Sequence, residues 1–422
     1  MPEGQHGTPV ALTSPRTLIT LLTLVLIISY IDRGNLATAG PLITDELRLS
    51  PSQFGTLLSA FYIAYASLMV PSGWLAERYG ARPVLAVAVG IWACATLATG
   101  FAGSFGSLLA LRLLLGAGES AVFPAWSKLI RAGVDDAHAG SANGVVSFGY
   151  LIGPAIGTFV GGLLMSRFGW RVTFWVFGAI SLIWLIPWSR VRVTEATTRG
   201  GMGSAHVPSF AAILRQRALW GASIGTFGIN YSFFFVLAWL PTYLVKERGF
   251  SMDEMAATAA PAYVLSAVGC VLAGLGIDWW IRGGRSANAI HKSLMALGYA
   301  TGIVAMIGIA LLPRGGSTAS LYFYELFTGI ASPPLYAVGQ AFAGPGATAR
   351  WIGVQNLCGN LAGIIASALT GVLVESTHSY VAAFAVAALA NVVGFGGWVL
   401  VMPRVAPIRW AVPRGALADS AA

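Results

Sequence analysis

Residues 190–218, RVRVTEATTRGGMGSAHVPSFAAILRQRA, are the longest polar stretch in this chain, rich in Arg, Gly, Ser and Thr. The chain on either side of them is built from apolar runs. Six precede the stretch, at about 17–43, 53–72, 84–103, 105–130, 141–165 and 171–189. Six more follow it, at about 219–245, 256–280, 293–313, 319–343, 352–375 and 380–402. Each has roughly the ~20 residues a helix needs to cross a hydrocarbon core. The division is therefore a tail at 1–16, a six-helix bundle at 17–189, a connecting loop at 190–218, a second bundle at 219–402 and a tail at 403–422.

Composition points the same way. The 422 residues are 56% hydrophobic and only 10% charged, with a mean hydropathy of +0.73, whereas soluble domains carry about 25% charged residues. Lipid is the solvent that suits such a chain, and in lipid the backbone must satisfy itself as helices or a closed barrel. Long apolar runs, rather than short alternating ones, select helices. The first run has the outline of a cleavable leader, with Arg16 before it and Ala37-Thr38-Ala39 after it, but Asp32 and Arg33 interrupt it. It reads as the first spanning helix.

Basic residues set the orientation. With both ends cytoplasmic, the cytoplasmic segments hold 17 Lys and Arg and the opposite loops 6, while Arg33 and Arg112 stay inside spans, which accounts for all 25. That asymmetry is the positive-inside pattern. The expected fold is an all-α integral membrane protein with twelve transmembrane helices in two pseudo-symmetric six-helix bundles, both termini cytoplasmic. The formal charge of +9 is scattered between apolar runs and forms no nucleic-acid stripe. Cys94, Cys270 and Cys358 are odd in number and widely spaced, so they read as packing residues rather than a disulfide framework or metal site. His6, His138, His206, His291 and His378 read as tail and loop residues. No P-loop, zinc motif or nucleophile elbow is present; an enzyme, a metal and a cofactor are not expected.

The halves echo each other. Gly73-Trp-Leu-Ala-Glu77-Arg78 follows the second apolar run, and Gly274-Leu-Gly-Ile-Asp278, with Arg282 beyond, follows the eighth. Each sets a Gly four residues before an acid, then a basic residue, and parallel repeats of this kind build transporters around a central site.

These residues also carry a family resemblance. Gly73 to Arg82, GWLAERYGAR, resembles the loop signature of the major facilitator superfamily, with Glu77 where Asp is usual and Ala81 where a basic residue is usual. Arg112-Leu-Leu-Leu-Gly116 resembles its fourth-helix signature, and Gly149, Gly153-Pro154, Gly157 and Gly161-Gly162 its glycine-rich fifth helix. More narrowly, Tyr30-Ile31-Asp32-Arg33-Gly34-Asn35 and Arg112 with Gly116, Glu119 and Phe123-Pro124 resemble the paired motifs of the anion:cation symporter family. That family includes permeases for galactonate, glucarate, hexuronates, tartrate and phthalate. The resemblance implies acids that carry protons, arginines that bind substrate or pair with them, and gating roles for Gly73, Glu77, Arg78, Arg82, Asp278, Arg282, Gly153 and Pro154.

Charges inside the spans carry the chemistry. A charge at the bilayer centre costs on the order of 3 kcal/mol even on a lenient scale, so Asp32, Arg33, Arg112, Glu119 and Glu325 mark an internal cavity or internal pairs. Arginine offers a permanently charged planar fork matched to carboxylates, which makes Arg33 and Arg112 the candidates for gripping an anion. A partly desolvated carboxyl can load and release protons near neutral pH, which makes Asp32 and Glu119 the proton candidates. Arg112 and Glu119 share a helix face about 10 Å apart along the axis, with Gly116 between them leaving room for a ligand; Asp32 and Arg33 diverge by about 100°. Tyr30 and Tyr65 match family tyrosines, while Tyr150, Trp239, Tyr336, Gln340 and Asn356 lie mid-span where polar groups could meet a substrate. Family galactonate permeases carry an amide near Tyr150, and that departure favours a flatter or aromatic anion. Glu325 has no family counterpart; it reads either as an extra proton site or filter, or as a group near the periplasmic mouth in water, the second being preferred.

The resulting expectation is a proton-coupled importer of a small organic anion, working by alternating access as a monomer in a bacterial inner membrane, with H⁺ as coupling ion and Na⁺ open. The rival is a proton-coupled antiporter exporting drugs or metabolites, against which the paired arginines speak.

Overall fold

The computed structural model describes residues 13–134, 136–193, 208–344, 347–408 and 410. Every regular element among them is a helix, and ten helices are long and apolar enough to cross a membrane. The N-terminal half holds α1 (Pro15–Glu46), α2 (Pro51–Tyr79), α3 (Ala81–Thr99), α4 (Phe105–Glu119), α5 (Val122–Gly133) and α6 (Asp136–Ser189). The C-terminal half holds the short α7 (Phe210–Leu214), then α8 (Arg217–Lys246), α9 (Met252–Arg282), α10 (Ala287–Leu311), α11 (Arg314–Ala343), α12 (Thr348–Thr377) and α13 (Val381–Gly396), whose end winds into a π-turn. The stretch expected to be loop therefore contains α7 and the first residues of α8. His291 lies buried in α10 rather than in a loop, and His138 lies within α6.

Local chemistry explains the starts and stops. Serines at positions 14, 50, 104, 209, 251 and 286 cap helices by accepting a first-turn backbone N–H. Ser50 with Gln53, and Ser251 with Glu254, complete reciprocal capping boxes that satisfy two otherwise orphaned donors. The 46-residue apolar stretch Gly144–Ser189 would be about 70 Å long as one helix, over twice a hydrocarbon core. It is broken at Gly169, whose φ of 79° and ψ of 166° suit a residue without a Cβ.

Small residues set the close packing. Along α6, Gly149, Gly153 and Gly157 face Thr23, Ile27, Tyr30 and Ile31 of α1; a Cβ at Gly153 would sit 2.7 Å from that of Tyr30. In the C-terminal half, a Cβ on Gly329 of α11 would strike the Ser266 carbonyl of α9. Such close approaches are how membrane helices gain packing energy without a hydrophobic drive.

The halves meet where α1 packs on α8, α2 on α12 and α6 on α9. At one end of the bundle this seam is shut. Lys246 pairs with Asp45. Glu375 at the end of α12 accepts the Ser50 hydroxyl and the Ser52 N–H, each at 2.9 Å, and also the Ser52 hydroxyl. A Cβ on Gly371 would strike the Pro51 carbonyl. Trp239 donates its indole N–H to the Ser367 carbonyl at 3.2 Å and meets Phe54 edge-on. Toward the other end, Tyr336 and Gln340 stand exposed. With Cys94, Cys270 and Cys358 replaced by alanine, a Ser52→Cys/Glu375→Cys pair is expected to cross-link readily in membranes with a short bifunctional thiol reagent. No cross-link in a folded protein would show that the seam is not shut in this way.

Candidate transport site

Four charged side chains converge in the N-terminal half. Arg33 of α1 donates from Nη2 at 2.8 Å and from Nε at 3.2 Å to one oxygen of Glu119, the last residue of α4. Ser29, one turn earlier on α1, donates to the same oxygen at 2.9 Å. Both partners are almost fully buried, and the second Glu119 oxygen has no hydrogen-bond partner among the described residues. The Arg33 guanidinium also lies over the rings of Tyr30, Tyr65 and Phe61, at 4.4, 4.8 and 4.9 Å from their centroids. Desolvated cation–π contacts of this kind are worth about 2 kcal/mol. Tyr30 and Tyr65 thus hold the arginine as much as they face any cavity.

Asp32, adjacent in sequence, points elsewhere, as the helix pitch requires. It accepts the Ser181 hydroxyl of α6 at 3.0 Å and the Asn35 amide at 3.1 Å. Arg112 is buried on α4, and its Nε has no hydrogen-bond partner among the described residues. Arg33 and Arg112 line one gap together with Ala37, Leu58, Phe61 and Tyr62, and with Leu237 and Ala238 from α8 of the opposite half. The gap measures about 10 Å³, room for about one water. Gly116 does not make the ligand space expected of it. A Cβ there would strike the Phe61 carbonyl, so this glycine lets α2 close against α4.

The remaining positions spread over both halves. Tyr150 of α6 sits 5.6 Å from Tyr30, ring to ring. Tyr336 lies within electrostatic reach of both tyrosines and donates at 3.0 Å to the Asn356 side-chain oxygen. Gln340 is exposed one turn further along α11. Trp239, by contrast, lies in the sealed seam. Among the gating candidates, Lys128 donates to the carbonyls of Ala76 and Glu77, at 2.7 and 3.4 Å, and Arg82 donates to the Ser189 carbonyl at 2.6 Å. The guanidinium of Arg78 lies over the rings of Trp74 and Tyr79. Gly73 faces Pro124 of α5, and Arg282 lies in the last turn of α9. Gly153 sits on the α6 face that packs on α1, and Pro154 follows it inside the helix; the Asp278 side chain lies outside the described residues.

Sequence reading missed Ser29, Ser181, Phe61 and Tyr62. Ser29 sits four residues before Arg33, one helical turn away, and could have been found by that spacing; Ser181 is an isolated hydroxyl in an apolar run and carried no signal. Glu325 is corrected outright: it is wholly buried, not at a watery mouth.

A many-helix membrane bundle that buries two acids and two arginines beside a gap between its halves is the build of a membrane transporter rather than an enzyme. The chain belongs to the Major Facilitator Superfamily, whose model matches residues 22–367. It is 31% identical over 394 residues to a probable sulfoacetate transporter of Cupriavidus necator, covering 86% of this chain and 88% of that protein. It is 28% identical over 408 residues to the hexuronate transporter of Bacillus subtilis, covering 94% of each. In fold it is similar to a bacterial homologue of the human lysosomal transporter Spinster, crystallised inward-facing and unoccupied, with a TM-score of 0.74, 20% identity, and coverage of 92% and 96%. Relatives named for organic anions agree with the anion:cation symporter resemblance.

The buried pair has a measurable signature. Removing one partner of a buried ion pair costs about 3–5 kcal/mol, while replacing both with apolar residues is often neutral. Glu119→Ala is therefore expected to lower the melting temperature in detergent, and Arg33→Met/Glu119→Leu to recover most of the loss. Equal stability of Glu119→Ala and the parent would mean that Arg33 has another counter-charge.

Proposed function

We propose that this protein is a twelve-span, proton-coupled symporter that takes up a small organic anion by alternating access, with both termini in the cytoplasm of a bacterial inner membrane. The observation that carries this reading is the buried Arg33–Glu119 pair with Arg112 beside it on the gap between the halves. Twelve spans follow if the two limbs on either side of Gly169 each cross, and if α11, 30 residues long but less apolar, crosses as well.

The coupling is electrostatic. Two acids balance two arginines in the empty site, so an incoming anion adds an uncompensated negative charge unless an acid takes up a proton. Protonation of Glu119 releases Arg33, whose fork then joins Arg112 on the anion. Asp32, held by Ser181 and Asn35, is the second proton carrier and ties α1 to α6 in step with its charge. Tyr30, Tyr65, Tyr150, Tyr336, Asn356 and Gln340 supply ring faces and hydrogen bonds for the rest of the substrate; Trp239 senses closure of the seam rather than substrate directly. Direction then follows from the different affinities of the two open states.

The test is uptake by purified protein in liposomes under an inward proton gradient, with sulfoacetate, hexuronates, galactonate, glucarate, tartrate, phthalate and benzoate as substrates. One anion accumulates, and Arg112→Ala lowers its uptake by about 30-fold or more, the scale of a lost buried charge contact. Uptake driven by a sodium gradient alone reassigns the coupling ion. Exchange of a lipophilic cation for protons, with no anion moving, replaces symport by the exporter reading.

A further inference from the structure

Glu325, in the middle of α11, is used by none of this. It is wholly buried. Among the described residues neither carboxyl oxygen has a hydrogen-bond partner, and neither do the buried hydroxyls of Tyr263 on α9 and Tyr324 on α11. Ser266, on the same face of α9 as Tyr263, is a neighbouring hydroxyl. Tyr263 and Tyr324 are the titratable groups that act on Glu325; among the described residues no basic side chain of α8, α9, α10 or α12 pairs with it. An ionised carboxylate without a counter-charge in such surroundings is prohibitive, so this conformation houses the neutral acid. Tyr263 lies within electrostatic reach of Tyr62, which lines the gap beside Arg33 and Arg112. Glu325 also sits where α9 and α11 pack closely, since Gly329, one turn along α11, abuts the Ser266 carbonyl, and Pro261 of α9 and Pro333-Pro334 of α11 lie within the helices nearby.

We propose that Glu325 is a further proton-binding site, on the C-terminal half, exchanging its proton with the central cavity past Tyr263 and Tyr62. It binds as the acid in the conformation described. When α9 and α11 shift, it releases one proton to cavity water and remains as carboxylate until it is reloaded. This deepens the symport reading and rests on it: each cycle carries one proton beyond those of the N-terminal acids.

Two measurements test it. Infrared titration of the purified protein is expected to show a protonated-carboxyl band, absent in Glu325→Gln, that disappears reversibly with alkali and shifts on deuterium exchange. Tyr263→Phe, a gentler variant, is expected to keep that band but slow its exchange. In liposomes, the proton-to-anion ratio from reversal potentials falls by one in Glu325→Gln, while anion counterflow persists. A Glu325 band that neither titrates nor exchanges in folded protein overturns the proposal, as does an unchanged ratio. If the parent protein shows no proton-driven uptake the symport reading fails by itself, and the infrared titration still decides whether Glu325 exchanges its proton.

Discussion

The bond between Arg33 and Glu119 organises this molecule because it places full charges where lipid surrounds the bundle, and every neighbour is arranged to make that tolerable. Three aromatic rings cover the guanidinium, a serine supports the carboxylate, and glycines on α6 bring the backbone carrying Tyr150 hard against α1. One Glu119 oxygen has no hydrogen-bond partner among the described residues. A structural ion pair would be stronger with that oxygen satisfied; leaving it open keeps the pair breakable, which a carrier needs more than it needs stability.

Charge and motion are joined through α1. Its mid-section holds Asp32 and Arg33, and its far end carries Asp45, which pairs with Lys246 across the seam. The buried charges and a closing contact of the seam therefore share one helix. Arg33 and Leu237, from opposite halves, border one gap, so occupancy there bears directly on how closely the halves approach.

Much of this could be read in the sequence, because membrane constraints are severe. Apolar length marks the spans, and scarce intramembrane charges single out Asp32, Arg33, Arg112 and Glu119 without any knowledge of contacts. What stayed illegible depends on facing. Whether Gly116 opens space for a ligand or admits α2 is decided by a neighbour 55 residues away, Phe61. Glu325 lies in a less apolar helix, and letters alone do not separate a wet mouth from a dry interior. The hydroxyl of Ser181 matters only because α6 lays it beside Asp32, a pairing across 149 positions.

Glu375 gives the seam a particular character. It reaches from one half to the first turn of a helix in the other, taking up the N–H of Ser52 that this helix end cannot satisfy internally. The C-terminal half thereby finishes a helix end of the N-terminal half. When the halves separate, water at the membrane surface can serve both the freed N–H and the freed carboxylate, so parting exchanges one set of hydrogen bonds for another of similar worth. A fastening made of polar ends closes without trapping the protein, because its closed and open positions stay near one another in free energy.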